Sequence, residues 1–412
     1  MPAQLGSCAG ITFSPEQSGG LAGSRDAAPP DRPNRPSCGQ SCRWGGTGAL
    51  GVPLWGEAPR KRGRAKTQST RTPTGPHPPD RRAPLRTLTL RPTPAGSQVT
   101  ANSLVPELTR TATATAHARR RTACPCGATG TLADRPDATV VRHADTVAKA
   151  HPPHTDPTEL TLRLATATAL PDVLLPPLTP TPAPLHDRLV TCWPYGTPVD
   201  PNTPDAAPWE AAATLLARLH LHPPLPRTPP MRGPAKAARA VERLQATAPT
   251  TAAEPILRAW HALPAWARAE AQLPDLTPTL CHGDFHLGQL VRHPADHGTW
   301  RLIDVDDLGT GTPAWDLARP AAWYACGLLA PEEWTRFLTA YRAAGGPAVP
   351  PHGDPWPALD IPARALTVQT AATALTKATQ AARPLDEVEQ SLIDACDRMA
   401  STPPELTCES AK

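Results

Sequence analysis

The sequence predicts an α+β protein of two lobes, a small β-rich lobe followed by a larger, mostly helical one, with a long unfolded extension in front. Three observations carry this. Residues 1 to about 120 are basic and proline-rich and follow neither a helical nor a strand period. From about residue 131 short strand-like runs appear. Beyond residue 205 apolar residues recur at helical spacing, interrupted once by a short strand-like insert. The boundaries read 1–120 for a disordered basic, Pro-rich extension, 130–196 for the β-rich N-lobe, 197–400 for the helical C-lobe and 401–412 for a flexible tail.

The composition supports the division. The 412 residues include 56 prolines and only 4% aromatics, so the chain cannot be globular throughout, because proline-rich polar stretches bury too little to offset their ordering entropy. Residues 1–100 hold 14 Lys/Arg against 5 Asp/Glu, and the remainder 27 against 32, so the basic balance belongs to the front and the globular part is mildly acidic. An acidic globular part gives no support for nucleic-acid binding. The ten cysteines are scattered: Cys38 and Cys42 are four apart and Cys124 and Cys126 two apart, neither with zinc-knuckle spacing, which favours a reduced, cytoplasmic protein. The first residues lack the basic and apolar regions of a signal peptide, and no apolar run is long enough for a membrane span, so no membrane partner is expected.

In chain order, "DATVVRHADTVAKAH" predicts strands at 138–142 and 146–150 around a turn. "DPTELTLRLATA" predicts a helix with Leu160 and Leu164 on one face, and "DRLVTCWPYG" a strand ending at a Pro-Gly break. "PWEAAATLLARLHLHP" is helical, with Ala212, Leu215, Leu216 and Leu219 on one side, and "AKAARAVERLQA" and "ILRAWHALPAWARAEA" continue the helical run. The insert is "TPTLCHGD", "GQLVRH" and "TWRLIDVDD". Four further helices follow, the last "PLDEVEQSLIDACDRMA".

The insert holds the chemistry. In "CHGDFHLGQL", His282, Asp284 and His286 alternate; on a strand they would share one face, as in a metal-dependent hydrolase. Gly283 and Gly288 argue for a loop instead. Downstream, the apolar pair Leu302-Ile303 delivers Asp304 to a strand end, and glycines, a Thr-Pro and Asp316 then open a helix.

These two segments resemble the aminoglycoside phosphotransferase and choline kinase superfamily, relatives of the protein kinases. Its marks are a His-Gly-Asp followed five residues after the Asp by an Asn, and a later Ile-Asp with Gly-x-Pro-x-x-Asp-Leu-Ala. This chain offers His282-Gly283-Asp284 and Gln289, then Ile303-Asp304, Gly311, Pro313 and Asp316-Leu317-Ala318, and the resemblance covers about 130 to 400. Glutamine replaces the family's asparagine, and in this the loop is similar to that of maltokinases.

The resemblance implies a bilobal kinase-like fold, ATP and Mg2+ as cofactors, and a small-molecule phosphate acceptor. It implies Asp284 as the residue that orients the acceptor hydroxyl and takes its proton, and Gln289 and Asp304 as metal ligands. Lys149, in Val147-Ala148-Lys149, matches the strand lysine that binds the nucleotide phosphates, with Glu159 as its candidate ion-pair partner. Trp193 and Tyr195, at the junction of the lobes, are candidates to flank the adenine. Asp316 is expected to cap its helix and to bond the catalytic loop, through the backbone or His282. A glycine-rich phosphate loop is missing, "CGATGTLA" being the nearest approach. Arg142 reads as an exposed strand arginine, His286 as a hydrogen-bonded loop histidine, and Asp306 and Asp307 as a solvated turn. A non-catalytic nucleotide-binding pseudokinase and the metal-dependent hydrolase remain as alternatives. The oligomeric state is not legible.

Overall fold

The structure is a computed structural model that describes residues 104–118, 126–135, 137–247, 251, 253–272, 279–295 and 297–401. It opens with helix α1 (Val105–His117), followed by strands β1 (Thr129–Arg135), β2 (Ala138–His143) and β3 (Thr146–Ala150). Helix α2 (Pro157–Ala169) and strands β4 (Ala183–Leu185) and β5 (Arg188–Pro194) complete the first lobe. Its antiparallel sheet runs β1-β2-β3-β5-β4, with Val147 opposite Trp193 and Lys149 opposite Thr191. On β2 and β3 Val141, Ala148 and Ala150 are buried, and Val190 and Cys192 of β5 join them in a small core. Asp156 starts α2 by accepting from the Glu159 backbone N–H, with Pro157 at the first helical position, where its missing N–H costs nothing.

Helix α1 corrects one boundary. It lies within the stretch that composition assigns to the extension, yet Leu108 and Ala112, four residues apart, are fully buried in the core of the sheet. The Thr115 hydroxyl also contacts the Cys192 thiol. The folded unit therefore begins by residue 105 rather than near 130. The rest of the expected extension, like the 402–412 tail, lies outside the described residues.

The second lobe begins with β6 (Thr197–Pro198) and helices α3 (Trp209–Leu221), α4 (Gly233–Ala246) and α5 (Ala253–His261). The insert follows as β7 (Thr279–Cys281), β8 (Leu290–His293), β9 (Thr299–Leu302) and β10 (Gly309–Gly311). Helices α6 (Ala314–Ala325), α7 (Pro331–Ala343), α8 (Trp356–Gln380) and α9 (Glu387–Ala400) close the chain. The predicted face of α3, Ala212, Leu215, Leu216 and Leu219, is buried. The helix expected over 256–271 ends at His261, because Pro264 cannot continue it; the chain turns through 265–269 instead. Helix α8 has apolar residues around most of its circumference and runs through the lobe, packing on α4, α6 and α9. Strands β6-β8-β9 and β7-β10 form two small antiparallel sheets, and their connecting loops carry the site. The observed plan, a sheet lobe followed by a helical lobe with a β-insert, is the predicted fold class.

Candidate active site

The loop after β7 holds His282, Gly283 and Asp284, and its fixed point is Asp316 in the first turn of α6. The buried Asp316 carboxylate accepts the His282 and Gly283 backbone N–H groups, the latter at 2.7 Å, and lies 3.0 Å from His220 Nε2. His220 in turn meets the Tyr341 hydroxyl at 2.7 Å. Asp316 thus bonds the His282–Asp284 loop through its backbone, but it does not cap α6, whose N-cap is Pro313. The His282 ring faces the Ile303 carbonyl at 2.8 Å and ties this loop to the next. Gly283 has φ +84°, and a Cβ there would stand 2.2 Å from the Asp307 carbonyl oxygen, so the close approach of the two loops requires glycine.

Asp284 sits between two cations. Lys236 of α4 donates to one carboxylate oxygen and Arg319 of α6 to the other at 2.7 Å, and Lys236 also donates to Asp307 at 2.8 Å. Burial pushes the Asp284 carboxyl up, but Arg319 and Lys236 outweigh it and hold the group well below the usual carboxylate range. His286 accepts the Gly288 N–H at 3.1 Å; burial, then the Arg319 charge, lowers its imidazole to about 3. The three residues of the hydrolase alternative therefore do not converge: one ring faces a carbonyl, one accepts from its own loop and the carboxylate is held by cations. Among the described residues they form no metal-ligand cluster.

On the other side of the cleft, Lys149 of β3 donates to Asp304 at 2.6 Å and lies 3.0 Å from Asp306. Burial disfavours its charge, but the two carboxylates reverse this and hold its pKa above the ordinary value. Asp306 also lies 2.9 Å from His151 Nδ1. Asp306 and Asp307 are thus ion-paired residues of the site rather than a solvated turn. Asp304 has φ +65°, a left-handed backbone unusual for a side-chain-bearing residue, and accepts from the Asp306 N–H at 3.4 Å. The Gln289 amide nitrogen lies 3.5 Å from the second Asp304 oxygen. Carboxylate and amide oxygen are the hard donors magnesium takes, and turning the amide about its last bond presents oxygen in place of nitrogen, so the two residues fit such an ion.

Glu159 is not the partner of Lys149. It accepts from Arg163 at 3.0 Å and from Arg232 at 2.7 Å, and Arg163 continues to the Leu308 carbonyl at 2.8 Å, so the helix supports the Asp304–Asp307 loop from behind. Trp193 is buried in the cleft wall with its indole N–H on Thr191 at 2.8 Å. Tyr195 lines the same cleft, but Arg142 stands 3.3 Å from its ring centroid, an inward-stacked rather than exposed arginine. The Tyr195 backbone N–H is taken by the Asp145 carbonyl. "CGATGTLA" runs into β1, and the stretch between β1 and β2 has no glycine in its sequence.

Two neighbouring hollows result. One is lined by Leu132, Val140, Lys149, Trp193, Gln289 and Asp304, among others, and is mostly apolar. The other is lined by Arg135, Asp137, Lys236, Arg243, Asp284, His286 and Arg319 and by a polar stripe of α8 that includes Lys377. Lys236 and Arg319 escaped the reading of the sequence. Arg319 had a signal, since it lies one turn after Asp316 and so faces the same loop; Lys236, on a helix far from either motif, had none.

Among solved structures the chain is similar to a choline/ethanolamine kinase family protein from Mesorhizobium loti, at 16% identity, covering 73% of this chain and 97% of that one with a TM-score of 0.44. It is similar also to a macrolide 2′-phosphotransferase from Brachybacterium faecium, at 17% identity, 70% and 97% coverage and a TM-score of 0.40. A third is a thermostable aminoglycoside phosphotransferase mutant in ternary complex with AMP-PNP and hygromycin B, at 14% identity, 69% and 96% coverage and a TM-score of 0.46. No curated protein matches the sequence. The family model described as "Phosphotransferase enzyme family" matches residues 135–359, more than half of the chain, and the protein belongs to that family.

Proposed function

We propose that the protein is an ATP- and magnesium-dependent phosphotransferase that moves the γ-phosphoryl group onto a hydroxyl of a small polar molecule. One observation carries this reading: Lys149, Asp304 and Gln289 converge in one hollow while Asp284 opens into the next. Lys149 holds the phosphates by charge. Gln289 and Asp304 hold the metal, which when bound neutralises charge on the transferring group. Asp284 orients the acceptor hydroxyl. Each of its oxygens has a second lone pair beyond the bond to Lys236 or Arg319, so both remain able to accept from a hydroxyl. Its depressed pKa makes it a weak base, which suits a loose transition state in which the proton leaves late.

The test is thermal unfolding with nucleotide and magnesium, followed by mass detection of phosphorylated product over an acceptor library. A ligand bound only by the native state at a hundredfold excess over its Kd adds about 2.7 kcal/mol. An unmoved Tm with saturating ATP and magnesium overturns the reading.

A further inference from the structure

Resting on that reading, the composition of the second hollow points to its acceptor. Five cations line it, Arg135, Lys236, Arg243, Arg319 and Lys377, against two carboxylates, Asp137 and Asp284. Lys236 and Arg319 are spent on Asp284. Arg243 and Lys377 are not. Arg243 uses only its Nε, on the Arg239 carbonyl, and leaves both terminal nitrogens of the guanidinium without a hydrogen-bond partner among the described residues. The Glu389 carboxylate, which feels the Lys377 charge, is taken by Arg383 through two bonds of 2.7 Å.

Between these cations and Asp284 runs the polar stripe of α8. Gln369, only 7% exposed, lines the hollow, and the buried Thr376 hydroxyl, which lines it too, has no partner among the described residues. Buried polar groups are ordinarily satisfied, and groups left open in a pocket wall mark where a ligand supplies the bond. Among the described residues no Phe, Tyr or Trp lines this hollow, so it has no platform for a quaternary ammonium. Of its two carboxylates Asp284 is paired with Lys236 and Arg319, and Asp137 alone is poor provision for a polyamine. Arg243 follows Lys236 by seven residues on α4, about 10 Å along the axis.

We infer that the acceptor is a hydroxylated molecule of one or two sugar rings bearing an anionic group, carboxylate or phosphate, that seats between Arg243 and Lys377 while a hydroxyl reaches Asp284. In the reaction the acceptor oxygen bonds the γ-phosphorus, the bond from that phosphorus to the bridging β-oxygen breaks, ADP leaves, and the hydroxyl proton passes to Asp284 and then to solvent.

The experiment compares kcat/KM of the full-length protein with ATP and magnesium on matched acceptors: a neutral sugar, its sugar acid, its sugar phosphate and its amino sugar. The inference expects one of the two anionic arms to exceed the neutral and amino arms by tenfold or more, about the worth of one charge-assisted hydrogen bond, and the better arm tells carboxylate from phosphate. Arg243→Glu and Lys377→Glu should each raise KM for that acceptor about tenfold, whereas Arg243→Lys holds the ranking. Preference for the amino sugar, or a ranking unmoved by either charge reversal, overturns the inference and leaves the kinase reading standing. If no arm reacts the inference falls, and the kinase reading falls with it only if ATP and magnesium also leave the Tm unmoved.

Discussion

Lys149 and Lys236 enter the same loop from opposite lobes, and each bridges two carboxylates: Lys149 of β3 reaches Asp304 and Asp306, Lys236 of α4 reaches Asp284 and Asp307. Both ammonium groups lose solvation, and in both the two carboxylates more than compensate, so both stay charged. The difference lies in what the partners face. Asp304 opens toward Gln289 and the mostly apolar hollow, where phosphates would replace carboxylates around Lys149. Lys236 holds an aspartate that a second cation, Arg319, already fixes. On the proposed function, one lysine would exchange partners on binding and the other would keep Asp284 in position.

The sharpest way to break this comparison is to change the two aspartates. Asp304→Asn should abolish the rise in Tm with ATP and magnesium and turnover with it. Asp284→Asn should keep that rise while turnover falls about 10²–10⁴-fold, the usual worth of a positioned base. Loss of nucleotide stabilisation in Asp284→Asn together with its retention in Asp304→Asn would reverse the assignment.

The lysines should separate next. Lys149→Ala should diminish the nucleotide-dependent Tm shift, and Lys236→Ala should preserve it while lowering turnover tenfold or more, since Asp284 then rests on Arg319 alone. Each removal strands partly buried carboxylates and should lower the unliganded Tm as well. Equal effects of the two substitutions on nucleotide binding would erase the distinction.

What the sequence revealed follows the same division. Asp284, Gln289, Asp304 and Asp316 stood out because short loops fix their spacing, and the fold brings their loops into contact. The strand bearing Lys149 was legible from β-branched residues at a two-residue period. Most other contacts between distant segments were not. Glu159 looked like the partner of Lys149 because it lies on the next helix, yet Arg163, four residues on, was the local choice, and acid before base at that spacing is a favourable helix pair. Helix α1 escaped because "TATATA" alternates β-branched and small residues, so only Leu108 and Ala112 mark its buried face.

Glu159 offers a subtler comparison with Asp306. If Lys149 is held by Asp304 and Asp306, Asp306→Asn should weaken the nucleotide-dependent Tm shift. Glu159→Gln should leave it in place and cost about 1 kcal/mol or less of stability, because the Glu159 side chain is 38% exposed and solvent screens its pairs with Arg163 and Arg232. Calorimetric titration of nucleotide with magnesium into both variants decides the matter. A larger loss of affinity in Glu159→Gln would restore the partner that the sequence suggested.

The smallest expected effect concerns pH and separates the two sides once more, because the low-pKa histidine lies beside Asp284. His286 is held at about 3 in the folded protein by burial and by the Arg319 charge, against about 6.5 for an unperturbed histidine. Between those values the unfolded chain binds a proton that the folded site does not. The folded state therefore loses stability as pH falls from 6.5 toward 3, by up to about 2 kcal/mol at pH 5 from this group alone. Denaturant unfolding at pH 7 and pH 5 measures the loss, and His286→Asn should remove most of it while Asp284 keeps Lys236 and Arg319. If that variant destabilises on acidification as much as the parent protein, the proton is taken up elsewhere and the imidazole is not held neutral by its surroundings.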